Sequence, residues 1–167
     1  MKIVVETEKG KIKGNEENNL RSFLGIRYAK PPVGDLRFKS PQSVEKWDGI
    51  VDALEYSPIC PQPPDGTPIE GPRDEDCLSL NIYSPVSDDK LKPVMFWVHG
   101  GAFSMGSGSR PRFYGGNLAQ YGDVVVVTIN YRLGPFGFLS LPGITPNLGI
   151  LDQIEALKWV KENIQAF

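Results

Sequence analysis

A continuous apolar run that ends at a pair of glycines constrains the fold of this chain more than any other feature. The run, Val94–Val98, has the pattern of a strand covered on both faces, and His99 separates it from Gly100 and Gly101. Adjacent glycines allow a tight turn, because no Cβ atom blocks the backbone or an atom that approaches it. We therefore expect a buried strand that opens into a loop whose N–H groups face outward. N–H groups arranged in this way can hold a negatively charged oxygen.

The pattern that follows this loop indicates a parallel sheet. Val124–Ile129 is a second continuous apolar run, and Asn117–Tyr121 before it has the pattern of a short helix. Strands that alternate with helices are typical of a parallel α/β sheet, in which both faces of each strand are covered.

An amphipathic helix of about fifteen residues is predicted near the end of the chain. Its apolar residues recur at intervals of three or four, and Asp152 and Glu155 stand at its front, where the helix dipole is positive. The apolar residues are Leu151, Ile154, Leu157, Val160 and Ile164.

The first part of the chain predicts short antiparallel strands. Lys2–Thr7 and Lys11–Lys13 flank a hairpin turn at Glu8–Gly10, and Leu20–Tyr28 follows the polar turn Asn15–Asn19. We therefore expect an α/β fold in which a small antiparallel sheet precedes the first strands and helices of a central, mostly parallel sheet.

A proline- and glycine-rich segment, Pro31–Cys77, predicts an ordered surface loop with little regular structure, after which Ser79–Tyr83 resumes a strand. A bridge between Cys60 and Cys77 would close a loop of 18 residues, counted from one cysteine to the other, and would contribute ~3 kcal/mol. Two reduced thiols are the alternative. With one histidine and no other cysteine, we expect no metal site and no cofactor.

Composition disfavours two classes of partner. The 167 residues suit one globular domain, and 18 Lys and Arg against 20 Asp and Glu give a net charge of −2, so nucleic acid is not expected. No apolar run approaches the ~20 residues of a membrane span, and the start Met1–Thr7 is too short for a signal peptide. We expect a cytoplasmic protein, although a secreted form trimmed of its signal would have the same sequence.

Five strings, in this order and spacing, resemble the amino-terminal part of a type B carboxylesterase, a cholinesterase-like α/β-hydrolase. They are FLGIRYAKPPVGDLRFKSP (Phe23–Pro41), EDCLSLNIY (Glu75–Tyr83), VHGGAF (Val98–Phe103), NYRLGPFGFL (Asn130–Leu139) and NLGILDQIEALKWVKENIQAF (Asn147–Phe167). The resemblance implies that residues 1–167 are the amino-terminal part of one α/β-hydrolase domain.

The resemblance also implies hydrolysis of a small-molecule carboxylic ester by a Ser, acid and His triad. The chain has no G-x-S-x-G string, so all three triad residues are expected in downstream sequence. His99 precedes the nucleophile, whereas the triad histidine of this fold comes last, so we expect His99 and Gly100 to shape the loop. The chain by itself is expected to be inactive.

A companion polypeptide or a downstream segment is expected to complete the fold. In the α/β-hydrolase arrangement, Val94–His99 lies between Val124–Ile129 and the strand that delivers the nucleophile. Without that last strand, an apolar strand would lie at the edge of the sheet, which favours aggregation.

By the resemblance, the backbone N–H groups of Gly101 and Ala102 are oxyanion donors, and a third donor follows the missing serine. Preset donors stabilise the negative oxygen that forms when the serine attacks, and loss of one donor typically costs ~10²–10³ in rate. Phe103 is a candidate wall of the substrate pocket, with ordinary core packing as the alternative.

Two structural ion pairs are implied by motif position. Arg37 corresponds to the partner of Glu75, and Arg132 to the partner of Asp152. If such a pair is buried, removing one partner costs ~3–5 kcal/mol, because the other charge is left uncompensated. The alternative is a solvated surface pair of small energy.

The family's disulfide in this region matches Cys60 and Cys77, so the resemblance implies a bridge. In cholinesterases the loop between these cysteines carries a tryptophan that stacks on the choline cation, whereas Pro61–Asp76 contains none. A general carboxylesterase is therefore the better interpretation. The alternatives are a catalytically inactive, cholinesterase-like binding or adhesion protein and an amidase or carbamate hydrolase.

Overall fold

The computed structural model describes residues 1–63, 71–86 and 90–167, which form a mixed sheet flanked by helices. The strands are β1 (Lys2–Glu6), β2 (Lys11–Glu17), β3 (Leu20–Arg27), β4 (Ile50–Asp52), β5 (Ser79–Pro85), β6 (Val94–Val98) and β7 (Val125–Ile129). The α-helices are α1 (Gly116–Gly122), α2 (Gly134–Phe138) and α3 (Leu148–Asn163). None of the described helices is long and apolar enough to cross a membrane. Residues 64–70 of the predicted surface loop lie outside the described residues.

The predicted antiparallel and parallel parts are joined in one sheet with the strand order β1-β2-β3-β5-β7-β6. β5 connects them, because it pairs antiparallel with both β3 and β7, with Leu80 opposite Ile26 and Ile129. β6 then pairs parallel with β7. β2 extends further than predicted, to Glu17, so the turn into β3 is shorter than Asn15–Asn19 and is made by Asn18 and Asn19, which both have positive φ.

The centre of the sheet is covered on both faces, as the sequence predicts for β7. All five of its residues are buried. On one face, Val126 packs in a cluster with Ala119 of α1, and on the other, Val127 belongs to the main core together with Trp159 of α3. This packing holds the end of β7, and the residues that follow it, in a defined position.

Among the described residues β6 is not covered on both faces, but it lies at the edge of the sheet, as expected for this chain without the strand that follows it. Val94, Met95, Trp97 and Val98 are exposed, and only Phe96 is partly buried. β6 is the last strand in the order, and no described strand pairs with its outer edge. An apolar strand is therefore left at the side of the sheet.

The buried face of α3 also differs from the predicted apolar stripe. Ile154 and Leu157 are 44% and 47% exposed, whereas Asp152 is buried and bonded to Arg132. The helix begins at Leu148, so Asp152 lies beyond its first turn. Val160 of the predicted stripe is buried, together with Ala156 and Trp159, so only the middle of the stripe, at Ile154 and Leu157, faces solvent.

Candidate functional site

The loop after β6 contains three consecutive residues with positive φ. The values are +129° for Gly101, +51° for Ala102 and +60° for Phe103. Gly101 must be glycine, because a Cβ atom there would lie 1.9 Å from the carbonyl oxygen of Met105. The left-handed conformation costs about 1–2 kcal/mol at each of the two non-glycine residues. Surrounding contacts must therefore hold this backbone path.

Hydrogen bonds inside the loop use its carbonyl groups. The N–H groups of Ser104 and Met105 both donate to the carbonyl of Gly101, at 3.0 and 3.1 Å, and the N–H of Gly134 donates to the carbonyl of Phe103 at 2.7 Å. These bonds direct the carbonyl oxygens of the turn inward and toward α2.

The N–H groups of Gly101 and Ala102 have a different environment. Neither group donates a hydrogen bond to any acceptor in residues 1–63, 71–86 or 90–167. Beside them, a Cβ atom built on Gly100 would meet no atom within 4 Å, so the space in front of that residue is open. Two adjacent donors without an internal partner are suited to bind an anionic oxygen.

His99 lies beneath the loop and is 2% exposed. Its ring stacks on Tyr131 at a centroid distance of 4.5 Å, and the Tyr131 hydroxyl donates to the His99 carbonyl at 3.0 Å. The Nδ1 atom lies 2.9 Å from the carbonyl oxygen of Gly100, so Nδ1 carries the proton. Burial lowers the pKa of His99 to about 4. A neutral ring of such low basicity supports a loop-shaping role rather than that of a general base.

Gln62 is a contact of the loop that sequence reasoning missed. Its side-chain Nε2 donates to the carbonyl of Gly106 at 2.9 Å, and its Oε1 accepts from the N–H of the same residue at 2.8 Å. The only sequence signal is an amide side chain between Pro61 and Pro63, in a segment otherwise interpreted as a surface loop.

Asn130, which directly follows β7, holds the far end of the same loop. Its Oδ1 accepts from the N–H of Gly108 at 2.9 Å, and its Nδ2 donates to the carbonyl of Pro58 at 3.3 Å. Gly108 lies so close to β7 that a Cβ atom would be 2.7 Å from the carbonyl oxygen of Ile129. The loop is thereby tied to a buried strand.

Phe103 projects partly into solvent. Its side chain is 51% exposed, and its ring lies 4.6 Å from that of Phe138. The residue is therefore not ordinary core in the described part of the chain, and its open side can meet a substrate or another part of the protein.

The two predicted ion pairs differ in burial. Arg132 donates from Nε and Nη2 to the Asp152 carboxylate at 2.8 and 2.6 Å, and the side chains are 3% and 0% exposed. The backbone N–H of Arg132 adds a third bond at 3.0 Å. Burial raises the pKa of Asp152, and the bonds from Arg132 oppose the rise. Arg37 holds Glu75 at 2.6 and 2.7 Å, but its side chain is 45% exposed.

Cys60 and Cys77 are both buried and are free thiols in this structure. Burial is the main cause of a raised pKa of the Cys60 thiol, and a hydrogen bond with Cys77 raises it further. The bridge that the resemblance implies is not formed here and stays a prediction. Within the described ranges, no group of three or more His, Cys, Asp or Glu side chains is placed to hold a metal ion.

Comparisons with known proteins agree along the whole chain. The model of the carboxylesterase family matches residues 1–167. The para-nitrobenzyl esterase of Bacillus subtilis is 52% identical, over 98% of this chain and 35% of the esterase. The phenmedipham hydrolase of Pseudarthrobacter oxydans is 44% identical, over 98% of this chain and 34% of the hydrolase. The crystal structure of a Geobacillus stearothermophilus carboxylesterase matches with a TM-score of 0.89 and 50% identity, and the match covers 98% of this chain and 35% of the carboxylesterase chain. The chain thus spans about a third of the length of these relatives.

Proposed function

This chain belongs to the carboxylesterase family and has the amino-terminal portion of the α/β-hydrolase fold, and from this premise we propose that its loop supplies the oxyanion hole of a serine ester hydrolase. The observation that carries the proposal is the pair of N–H groups on Gly101 and Ala102, which have no acceptor among the described residues.

In the proposed reaction, a serine hydroxyl from the remainder of the protein attacks the carbonyl carbon of a carboxylic ester, and its proton passes to the triad histidine of that remainder. The carbonyl oxygen becomes negative in the tetrahedral intermediate, and the two N–H groups donate to it. Because strained φ angles and internal hydrogen bonds already hold the loop, the donors need no rearrangement when the charge develops. The oxygen returns to a carbonyl when the ester C–O bond breaks and the alcohol leaves with the proton from the histidine. Water then attacks the acyl-serine through a second oxyanion, which releases the acid and restores the serine hydroxyl.

The remainder of the protein would supply the triad and complete the sheet. Val94, at the start of β6, and Phe167, at the end of this chain, line the same cleft. A chain that continues from Phe167 can therefore enter beside β6 and run parallel to it. Such a strand would cover the exposed apolar side chains of β6 and satisfy its unpaired backbone groups.

The loop can be tested with Gly101→Val in the full-length protein. A valine would clash with the Met105 carbonyl and displace the donors, so kcat for a p-nitrophenyl ester should fall by ~10²–10³. Gly49→Val is the matched control, because Gly49 also has a positive φ of +79° but has no atom within 4 Å of a built Cβ. Unchanged turnover in Gly101→Val would refute the proposal.

Labelling of the full-length protein with a fluorophosphonate separates the enzyme from the alternative of an inactive binding or adhesion protein. An enzyme with a reactive serine will be labelled, and this chain alone will not. A panel of p-nitrophenyl esters and the matching anilides and carbamates then compares esters with the substrates of an amidase or carbamate hydrolase.

A further inference from the structure

We propose that Gln62 is a positioning residue for the oxyanion loop, acting through Gly106 and His99. The inference rests on the proposed function of the loop and adds a residue outside it. Gln62 lies on the segment that contains Cys60, more than forty positions before Gly106 in the sequence.

The side-chain amide of Gln62 pairs with Gly106 as one strand pairs with another. Its Nε2 donates to the Gly106 carbonyl at 2.9 Å, and its Oε1 accepts from the Gly106 N–H at 2.8 Å. The same Nε2 donates to the carbonyl of Cys60 at 3.0 Å. Both hydrogens of the amide nitrogen are thus used, and only a neutral amide provides two donors and an acceptor in this arrangement.

Gly106 lies directly against the support of the oxyanion loop. Its φ is +118°, and a Cβ atom there would lie 2.3 Å from Nδ1 of His99 and 2.6 Å from the carbonyl oxygen of Gly100. These two atoms form the hydrogen bond that orients the His99 ring beneath the loop. A shift of Gly106 therefore displaces His99 and Gly100 together, and with them the donors on Gly101.

The backbone that carries Gln62 is restricted. Pro61 and Pro63 restrict φ on both sides of it, and Cys60 is buried beside Cys77. The loop thus receives one constraint from this segment and a separate one from Asn130 at Gly108. With Gln62 removed, the end near Gly108 stays fixed and the end near the donors loosens.

The test uses the full-length protein with Gln62→Met and Gln62→Glu. Methionine has a similar length but no hydrogen-bonding amide, and glutamate keeps the acceptor but loses both donors when it is ionised. Gln120→Met is the matched control, because Gln120 also donates to a backbone carbonyl, that of Asn18, and lies on α1.

We expect Gln62→Met to lower kcat by about 10-fold or more while KM changes by less than about twofold, because displaced donors weaken binding of the transition state more than that of the substrate. The affinity for a trifluoromethyl ketone, whose adduct carries an oxyanion, should fall by the same factor as kcat/KM. For Gln62→Glu, activity relative to the unsubstituted protein should rise as the pH falls, because the protonated carboxyl can again donate to Gly106. Gln62→Met should show no such rise.

Three results would overturn the inference: full kcat/KM in Gln62→Met, a loss confined to KM, or a pH-independent activity ratio for Gln62→Glu. If Gln62→Met does not fold, the nearly isosteric Gln62→Glu decides by its pH profile. Failure of the proposed function is distinguishable, because the unsubstituted protein would then not react with a fluorophosphonate. If the unsubstituted protein is labelled and the Gln62 variants keep its full activity, the role of Gln62 is refuted and the proposed function is not.

Discussion

Replacement of Arg132 by methionine should destabilise the protein more than any other single loss of a charge considered above. The Asp152 side chain is 0% exposed and receives bonds at 2.6 and 2.8 Å from the guanidinium. Arg132→Met removes both bonds and leaves only the backbone N–H of residue 132 at 3.0 Å. Because the carboxylate then lies buried without a compensating charge, we expect a loss of ~3–5 kcal/mol in the free energy of unfolding.

The assay is urea unfolding of the full-length protein, with Arg37→Met as the matched control. Arg37 also holds a carboxylate through two bonds, but its side chain is 45% exposed, so its removal should produce a much smaller shift of the unfolding midpoint. The double variant Arg132→Met with Asp152→Leu should be more stable than Arg132→Met alone, because it leaves no unpaired buried charge.

The loss of stability in Arg132→Met should depend on pH in a defined direction. Burial raises the pKa of Asp152, and in Arg132→Met the opposing guanidinium is gone. A folded-state pKa above the unfolded value of 3.8 adds stability at low pH that is lost as the pH rises through the folded pKa. The deficit of Arg132→Met should therefore shrink in acid. Equal shifts for Arg132→Met and Arg37→Met, or a double variant no more stable than the single one, would refute the reasoning.

Two further predictions concern His99 and β6. Burial lowers the pKa of His99 from 6.5 to about 4. The contribution of neutral His99 to the free energy of unfolding should therefore be fully present above pH 6.5 and should fall by at most ~3 kcal/mol as the pH drops to 4. His99→Phe should remove this part of the pH dependence in urea unfolding, and an unchanged slope would contradict it. The chain expressed alone should aggregate and hydrolyse no ester, because β6 is exposed. Met95→Lys should reduce light scattering by that chain, whereas Ile50→Lys, on β4, should reduce it less.

Local sequence determined the elements that depend on neighbouring residues. The apolar run of β7 and the turn residues of the first hairpin predict their strands, because backbone conformation and hydrophobic patterning act over a few positions. The glycine at position 101 likewise marks a backbone path that no side chain tolerates. These signals place a glycine turn between a strand and a helix, whereas its interpretation as a candidate oxyanion loop depends on the resemblance to the family.

Tertiary structure alone decided which surfaces are covered and which distant groups meet. β6 and β7 have similar apolar sequences, and only their places in the sheet, which the resemblance to the family implied, make β7 buried and β6 exposed. The periodicity of α3 did not show that Ala156 and Trp159 are buried while Ile154 and Leu157 are exposed, and Gln62 meets Gly106 only because the chain folds back on itself. Burial and long-range hydrogen bonds depend on every packed neighbour, so the periodicity of one segment cannot specify them.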